Sequence, residues 1–374
     1  MDEFFAVGAP GLESILALEL TELGLRPPKI FKGPDGVPGY VEFAAAKGGV
    51  MKANLHLRSA ERVVVRIGTF TATTLPDLKT SAGKLAWERF IRPGRALDVH
   101  VKCAKSKLNH EGAIADRVTT ALEGRLKTKS QISPSGLPQR VVIHAKDDVF
   151  TVDIDSSGEP LHRRGYRLDG AKAPLKETLA AALLIASGWD RKSNLLDPFC
   201  GSGTIAIEAA LMAEGLPPGQ GRRFAFMEWP QFDHGEWEWT KAAVRRFPTG
   251  PILKITASDR DAGAIDAARA NAARAGVTER IDFSVRALSA VESPVGPGFI
   301  VTNPPYGVRV SEGKDLRDLY AQFGKFARAL GVGWTTTMIS GDSRLTRATG
   351  LPFDQGLSTL NGGLNVRVVS FRPR

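Results

Sequence analysis

The chain has 374 residues, of which 43% are hydrophobic and 24% charged, and a formal net charge of +10 at pH 7. This composition is typical of a globular protein of two or three domains and excludes a disordered chain. The two cysteines cannot build a disulfide framework, no metal site is predicted, and no apolar stretch approaches the roughly 20 residues of a membrane helix. We therefore expect a soluble cytoplasmic protein that does not contact a membrane. The expected oligomeric state is a monomer.

Two small α/β domains are predicted before residue 156, one over residues 1–70 and one over 71–155. Apolar residues at helical spacing predict the helices of these domains, and short runs of β-branched and aromatic residues predict the strands. In the first domain these are strands at 4–7, 41–43 and 63–67 and a helix at 11–24. In the second they are helices at 76–90 and 112–126 and strands at 96–101, 140–145 and 149–154, with a hairpin turn at Asp147-Asp148.

Positive charge is concentrated in one segment of the second domain. Residues 79–129 contain twelve Lys or Arg and five Asp or Glu. Their net charge of +7 is most of the +10 of the whole chain. Such a concentration favours contact with a nucleic acid over a merely basic surface. The candidate contact residues are Lys102, Lys105, Lys107, Arg125, Lys127 and Lys129.

Residues 156–173 are polar, basic and glycine-bearing, which predicts a linker. Two of its arginines, Arg163 and Arg164, are further candidates for contact with a phosphate backbone.

From residue 174 to 374 the pattern changes to alternating helix and strand, which predicts a doubly wound parallel sheet of the Rossmann type. A helix is predicted at 175–187 and strands at 194–196, 254–258, 281–285, 299–302 and 335–340, followed by a hairpin around Asn361-Gly362-Gly363. An insertion between the first two strands is rich in Phe, Trp and Arg. We interpret it as a packed aromatic cap rather than as a surface for stacking RNA bases.

A glycine-rich loop follows the first strand of this sheet and opens a helix. We call residues Asp197–Thr204 (DPFCGSGT) the glycine loop. In open α/β sheets ligands bind at the carboxyl ends of the strands, and Gly201 and Gly203 let the backbone approach a ligand closely. The loose match to a dinucleotide fingerprint raises the alternative of an NAD-dependent oxidoreductase.

Two acids distinguish these possibilities. Asp197 would repel a pyrophosphate but attract a cation, and Asp259 could bind a ribose diol although it lies 56 positions after Gly203, too far for a dinucleotide fold. A cationic nucleoside without phosphates fits both acids, which favours S-adenosylmethionine as the cofactor.

The stretch Asn303-Pro304-Pro305-Tyr306 follows a predicted strand of the same sheet. The Asn303 side chain and the rigidly held Pro304 carbonyl are acceptors for the N–H bonds of an aromatic amine, and Tyr306 offers a ring for stacking. Acceptors aimed at the amine stabilise the positive charge that develops on nitrogen during attack on a methyl group. A simple strand-to-loop turn is the alternative interpretation of this stretch.

Together these motifs resemble the THUMP-domain RNA guanine-N2 methyltransferases, especially the RlmL family that methylates 23S rRNA, and tRNA-modifying TrmN-like relatives share the architecture. The resemblance covers nearly the whole chain, including residues 161–167, 173–181, the glycine loop, Asn271-Ala272 and residues 303–307. It implies an N-terminal ferredoxin-like region (1–70), a THUMP RNA-binding domain (71–155), a linker (156–173) and a Rossmann-like methyltransferase domain (174–374). The fold expected is therefore α/β, a doubly wound methyltransferase sheet preceded by two small α+β domains.

The resemblance also implies site residues. The catalytic residues would be Asn303, Pro304, Pro305 and Tyr306. The cofactor-binding residues would be Glu177, Thr178, Asp197, Pro198, Phe199, Cys200, Gly201, Ser202, Gly203, Thr204, Asp259, Arg260, Ala287 and Asn303.

Two positions depart from the family pattern. Arg286-Ala287 stands where an acid near the adenine is usual, and Val308 follows Gly307 where the family often has Glu. The expected function is methyl transfer to guanine N2 in structured RNA, with rRNA as the expected partner. The alternatives are a tRNA guanine-N2 enzyme, an RNA adenine-N6 enzyme and a catalytically silent RNA-binding protein of ribosome assembly.

Overall fold

The computed structural model describes residues 3–25, 28–31, 33, 36, 38–45, 48–129, 138–168, 175–243, 255–292, 294–306 and 315–373. The chain divides into two compact units. The N-terminal unit comprises Met1–Gly8, Leu16–Leu161 and Gly221–Ala243, and the C-terminal unit comprises Ala9–Ile15, His162–Gln220 and Val244–Arg374. No helix among the described residues is both long enough and apolar enough to cross a bilayer.

Strands and helices are numbered in chain order over the described residues. The strands are β1 (Glu3–Gly8), β2 (Lys29–Phe31), β3 (Tyr40–Phe43), β4 (Ala60–Thr71), β5 (Leu97–Ala104), β6 (Gln139–Lys146), β7 (Val149–Asp155), β8 (Asn194–Asp197), β9 (Ile255–Asp259), β10 (Ile281–Val285), β11 (Gly298–Thr302), β12 (Trp334–Ser340), β13 (Ser358–Asn361) and β14 (Leu364–Phe371). The helices are α1 (Glu13–Glu22), α2 (Gly49–His56), α3 (Leu75–Ala82), α4 (Glu111–Leu126), α5 (Glu177–Ala186), α6 (Thr204–Ala213), α7 (His234–Ala242), α8 (Ala262–Ala275), α9 (Arg317–Ala329) and α10 (Ser343–Ala348).

One sheet runs through the N-terminal unit in the order β2-β3-β1-β4-β7-β6-β5. Its central strand β4 pairs with β1 on one side and with β7 on the other, and both pairs are antiparallel. The buried residues Val63, Val64 and Val65 explain the strand, because β-branched side chains pack well on a pleated surface. The elements of the two predicted N-terminal domains therefore share a single sheet.

The helix predicted at 76–90 is shorter than expected. Helix α3 begins at an N-cap, where Thr74 Oγ1 accepts a hydrogen bond from the Asp77 amide, and it ends at Ala82. The Trp87 indole then donates to the Ala82 carbonyl at 2.8 Å, and a separate 3₁₀ turn spans Trp87–Arg89. The single predicted helix is therefore divided into α3 and a 3₁₀ turn, and the buried indole satisfies a carbonyl of the last turn of α3.

Two predicted hairpin turns are confirmed. Asp147 and Asp148 both have positive φ and join β6 to β7, as a two-residue hairpin loop requires. Asn361 pairs with Leu364 across the turn between β13 and β14.

Most of the aromatic insertion is packed, as predicted, but Trp239 is 69% exposed. The rings of Phe224 and Phe226 stack at a centroid distance of 5.3 Å, and Trp237 meets the Phe226 ring edge-on at 5.5 Å. Trp229 packs against Phe90 and donates its indole N–H to Gln139 Oε1 at 3.0 Å.

The C-terminal unit contains the second sheet, in the order β10-β9-β8-β11-β12-β14-β13. The first five of these strands are parallel, and β14 is antiparallel to β12 and β13. The predicted doubly wound sheet is therefore confirmed. Of the positions that carried predictions, Lys254 at a predicted strand start, the segment 169–174 and the motif residues 307–309 lie outside the described residues.

Candidate functional site

Three parallel strands end together at the carboxyl edge of the second sheet. Strand β8 ends at Asp197, β9 ends at Asp259, and Asn303 directly follows β11. The chain leaves β8 for its neighbour β9 and later reaches β11 on the other side of β8. A crevice at such a reversal of strand order is where doubly wound sheets bind ligands.

Backbone hydrogen bonds tie the glycine loop to β9. The Cys200 amide donates to the Ser258 carbonyl at 3.0 Å, and the Gly201 amide donates to Asp259 Oδ2 at 3.0 Å. The adjacent strand thus helps to set the conformation of the loop.

Asp197 is a buried carboxyl with one satisfied oxygen. Its Oδ1 accepts a hydrogen bond from Thr302 Oγ1 at 2.6 Å and one from the Phe199 amide at 3.3 Å. Its Oδ2 is buried and has no hydrogen-bond partner among the described residues. Burial, helped by the charge of Asp259 and opposed by the Thr302 and Phe199 hydrogen bonds, raises the pKa of Asp197 to about 7.

The Asn303–Tyr306 stretch presents a second unsatisfied oxygen. Asn303 Oδ1 is buried and has no hydrogen-bond partner within the described ranges. Tyr320 Oη donates to the Pro305 carbonyl at 3.2 Å and so holds the proline pair in place.

Tyr306 is more deeply packed than a simple stacking ring would be. It is 9% exposed, and its hydroxyl oxygen accepts a hydrogen bond from Asn361 Nδ2 at 2.6 Å. Burial raises the pKa of Tyr306, partly offset by the Asn361 hydrogen bond. The sequence predicts a turn at Asn361, and nothing local indicates its contact with Tyr306.

The other predicted cofactor residues fall into two groups. Glu177 and Thr178 are buried in the first turn of α5, and burial raises the pKa of Glu177. In the glycine loop, burial likewise raises the pKa of the Cys200 thiol. Arg260 and Ala287 are exposed beyond the carboxyl ends of β9 and β10. Their contact with a cofactor stays a prediction.

A groove between α3 and α4 gathers part of the predicted nucleic-acid contacts. It has a volume of about 1050 Å³. Its lining includes the predicted Arg125, Lys127 and Lys129, together with Lys79 and Lys84 from the α3 side, which are not among the contact residues predicted from the sequence. We call it the α3–α4 groove. Arg125 also forms an ion pair with Glu88 at 2.7 Å.

The remaining predicted contacts lie elsewhere. Lys102, Lys105 and Lys107 are exposed on β5 and the segment after it, outside the lining of the α3–α4 groove. Arg163 is exposed, whereas the side chain of Arg164 is only 3% exposed and pairs with Glu208 at 3.4 Å. The prediction for Arg164 was wrong, because a buried guanidinium that is paired with a buried carboxylate does not reach a phosphate backbone.

Two family models match the chain. Residues 164–365 match the model described as "RMKL-like, methyltransferase domain". Residues 3–64 match the model described as "RlmL ferredoxin-like domain".

Curated relatives match over nearly the whole chain. A protein of Synechocystis sp., which is provisionally named an RNA methyltransferase, is 34% identical to this chain. The match covers 98% of this chain and 96% of the relative. The ribosomal RNA large subunit methyltransferase K/L of Syntrophotalea carbinolica is 34% identical over 99% of this chain and 53% of its own. The chain therefore spans about half the length of the K/L relatives it matches.

Solved structures are similar over the whole chain. One is the crystal structure of a protein assigned to the methyltransferases, complexed with SAH. It has a TM-score of 0.89 at 29% identity, and the match covers 100% of this chain and 98% of that protein. A structure from Listeria monocytogenes, described as a predicted N6-adenine-specific DNA methylase, has a TM-score of 0.86 at 28% identity and covers 100% of this chain and 97% of its own.

Proposed function

Because the chain belongs to the family of RMKL-like methyltransferases, we propose that it transfers a methyl group to the exocyclic N2 of a guanine in structured RNA, namely 23S rRNA. S-adenosylmethionine is its cofactor, in agreement with the family and with the SAH bound in a similar structure.

The buried, unsatisfied Oδ1 of Asn303 carries this proposal. A buried carbonyl oxygen without a partner costs roughly 1–3 kcal/mol, so a ligand that donates a hydrogen bond to Asn303 Oδ1 would recover that cost. The amide oxygen accepts hydrogen bonds and cannot donate them, which selects a ligand that donates N–H or O–H. An exocyclic base amine is such a donor.

The residues around Asn303 would orient the amine and stabilise charge on it. Asn303 Oδ1 and the Pro304 carbonyl would accept its two N–H bonds and so direct the nitrogen lone pair away from both acceptors. As the amine attacks, positive charge develops on nitrogen, and two fixed acceptors stabilise that charge more than they stabilise the neutral amine. No strong base is needed, because the methylated nitrogen, which is positively charged after the attack, is acidic enough to lose a proton to water.

The glycine loop and its two acids fit the cofactor. When bound, S-adenosylmethionine supplies an electrophilic methyl group on a positively charged sulfur. The unsatisfied Oδ2 of Asp197 provides a carboxylate oxygen for a cationic ligand, and Asp259, already oriented by the Gly201 amide, would accept from ribose hydroxyls. Gly201 leaves open space where a side chain would project.

RNA as the substrate is supported by the names of the relatives and by the charge of the α3–α4 groove. Four lysines and an arginine around one groove suit a phosphate backbone, which dominates the affinity of most nucleic-acid complexes. The Asn-Pro-Pro-Tyr stretch would serve an adenine amine equally well, so adenine N6 is the competing target.

Nucleoside mass spectrometry on rRNA and tRNA from a deletion strain tests the substrate. We expect N2-methylguanosine to disappear from 23S rRNA and to return when the wild-type gene is restored. Loss of N6-methyladenosine, or loss from tRNA alone, would replace the proposed target. An unchanged profile would favour the catalytically silent RNA-binding protein.

Asn303→Ala tests the mechanism in the purified protein. We expect turnover to fall by at least about 100-fold, as for the removal of one preorganised hydrogen bond to a developing charge, while RNA binding persists. Asn365→Ala is a matched control, because Asn365 is an exposed asparagine on β14. Equal turnover in the two variants would remove Asn303 from the mechanism.

A further inference from the structure

The glycine loop is held by side chains that lie far from it in the sequence. The Ser202 carbonyl accepts a hydrogen bond from Asn271 Nδ2 on α8 at 3.1 Å. Asn271 is fully buried, so water cannot replace this bond. Burying a polar side chain in the middle of a helix costs free energy unless the side chain is hydrogen-bonded.

A second side chain holds the other end of the loop. Arg167 Nη2 donates to Thr204 Oγ1 at 2.8 Å and to the Leu175 carbonyl at 2.7 Å. The same nitrogen lies 3.3 Å from Glu177 Oε1. One planar guanidinium therefore joins the start of α6 to the start of α5.

The two contacts belong to one connected network. Arg274 Nη2 donates to Asn271 Oδ1, and Arg274 Nε donates to the Tyr166 carbonyl at 2.7 Å. Tyr166 immediately precedes Arg167. Hydrogen bonds and covalently linked backbone thus form a continuous path from Ser202 to α8, from α8 to residues 166–167, and from there to Thr204. This path encloses Gly203.

We infer that Asn271 and Arg167 are positioning residues that hold the glycine loop in its cofactor-binding conformation. The inference deepens the proposed function and rests on it, since it concerns the cofactor of that reaction. Neither side chain needs to touch the cofactor. Each limits the motion of a loop whose backbone must meet the ligand, so that less conformational entropy is lost on binding.

The experiment measures the Kd for S-adenosylmethionine by calorimetry, apart from methyl transfer. Asn271→Asp keeps the shape and the acceptor for Arg274 but removes the donor to Ser202. Arg167→Lys keeps the charge but loses the planar fork. We expect each variant to weaken cofactor binding about ten-fold, the scale of one buried hydrogen bond, with kcat at saturating cofactor changed less than about two-fold.

The control is Arg269→Lys on the same helix. Arg269 donates to the Phe283 carbonyl, its ion pair is with Asp266 on α8, and its side chain is 52% exposed. We expect its cofactor Kd to stay at the wild-type value. Thr204→Val, which removes only the hydroxyl that Arg167 contacts, decides the question if either larger change prevents folding. Where Arg167→Lys folds, it should weaken binding less in the Thr204→Val background than in the wild type.

Two failures can be told apart. If the wild-type protein does not bind S-adenosylmethionine, the cofactor assignment and the proposed function fail together. If the wild type binds it and the folded variants bind as tightly as the control, only the inference about Asn271 and Arg167 is wrong. Losses of affinity that merely follow losses of thermal stability would also overturn it.

Discussion

Replacing Gly203 by alanine should destabilise the C-terminal unit by an amount that the structure allows us to work out. Gly203 has φ of +83°, and a Cβ there would lie 2.9 Å from the Ala268 Cβ and 3.2 Å from the Phe283 ring. The left-handed conformation costs an alanine about 1–2 kcal/mol. Overpacking a well-packed site adds about 1–3 kcal/mol, so the expected loss is about 2–5 kcal/mol in total.

Gly201 provides the matched comparison within the same loop. Its φ is +52°, and a Cβ at this position would meet no atom of the described residues within 4 Å. Gly201→Ala should therefore cost only the conformational part, about 1–2 kcal/mol. If the open space next to Gly201 receives the cofactor, however, the added methyl group should weaken cofactor binding far more than it weakens the fold.

The assay is equilibrium unfolding in denaturant, followed by circular dichroism, together with the cofactor Kd of each variant. The difference in unfolding free energy between the two variants isolates the clash with Ala268 and Phe283. Equal destabilisation by the two substitutions would refute the packing argument. Unaltered cofactor affinity in Gly201→Ala would show that the ligand does not occupy the space beside that residue.

Three further predictions concern titration, a hydrogen bond and charge. Burial raises the pKa of Asp197 from 3.8 to about 7. Between these two pH values the folded state keeps a proton that the unfolded state has released, so the free energy of unfolding falls as the pH rises. Asp197→Asn should remove a loss on the order of 3 kcal/mol between about pH 5 and about pH 8, and an unchanged pH dependence of unfolding would contradict the assignment. Tyr306→Phe and Asn361→Ala should each cost about 1 kcal/mol in unfolding free energy, with no further cost when combined, because they break the same hydrogen bond; fully additive costs would count against that bond. Neutralising the four lysines of the α3–α4 groove should reduce the salt slope of RNA affinity by about 0.7–0.9 for each phosphate that is no longer neutralised, whereas neutralising the three lysines on and after β5 should change it less, and the reverse order would place the RNA on the β5 side.

Sequence reasoning was most successful where structure depends on near neighbours. The turn at Asp147-Asp148 and the strand–loop–helix at Asp197–Thr204 follow from local sterics and from short-range periodicity. The predicted helix over 76–90 failed even at short range, because the Trp87 indole, only five positions along the chain, donates to the Ala82 carbonyl at the end of α3.

The sequence by itself determined the fold class, the family, the cofactor and the two motifs that end at the carboxyl edge of the sheet. Only the tertiary structure decided which charged and polar groups meet there. Arg163 and Arg164 are adjacent in the chain, yet one is exposed and the other pairs with Glu208, 44 positions away. Thr302 reaches Asp197 across 105 positions. The environment of a side chain depends on the elements that pack against it, and no local pattern of residues records which elements those are.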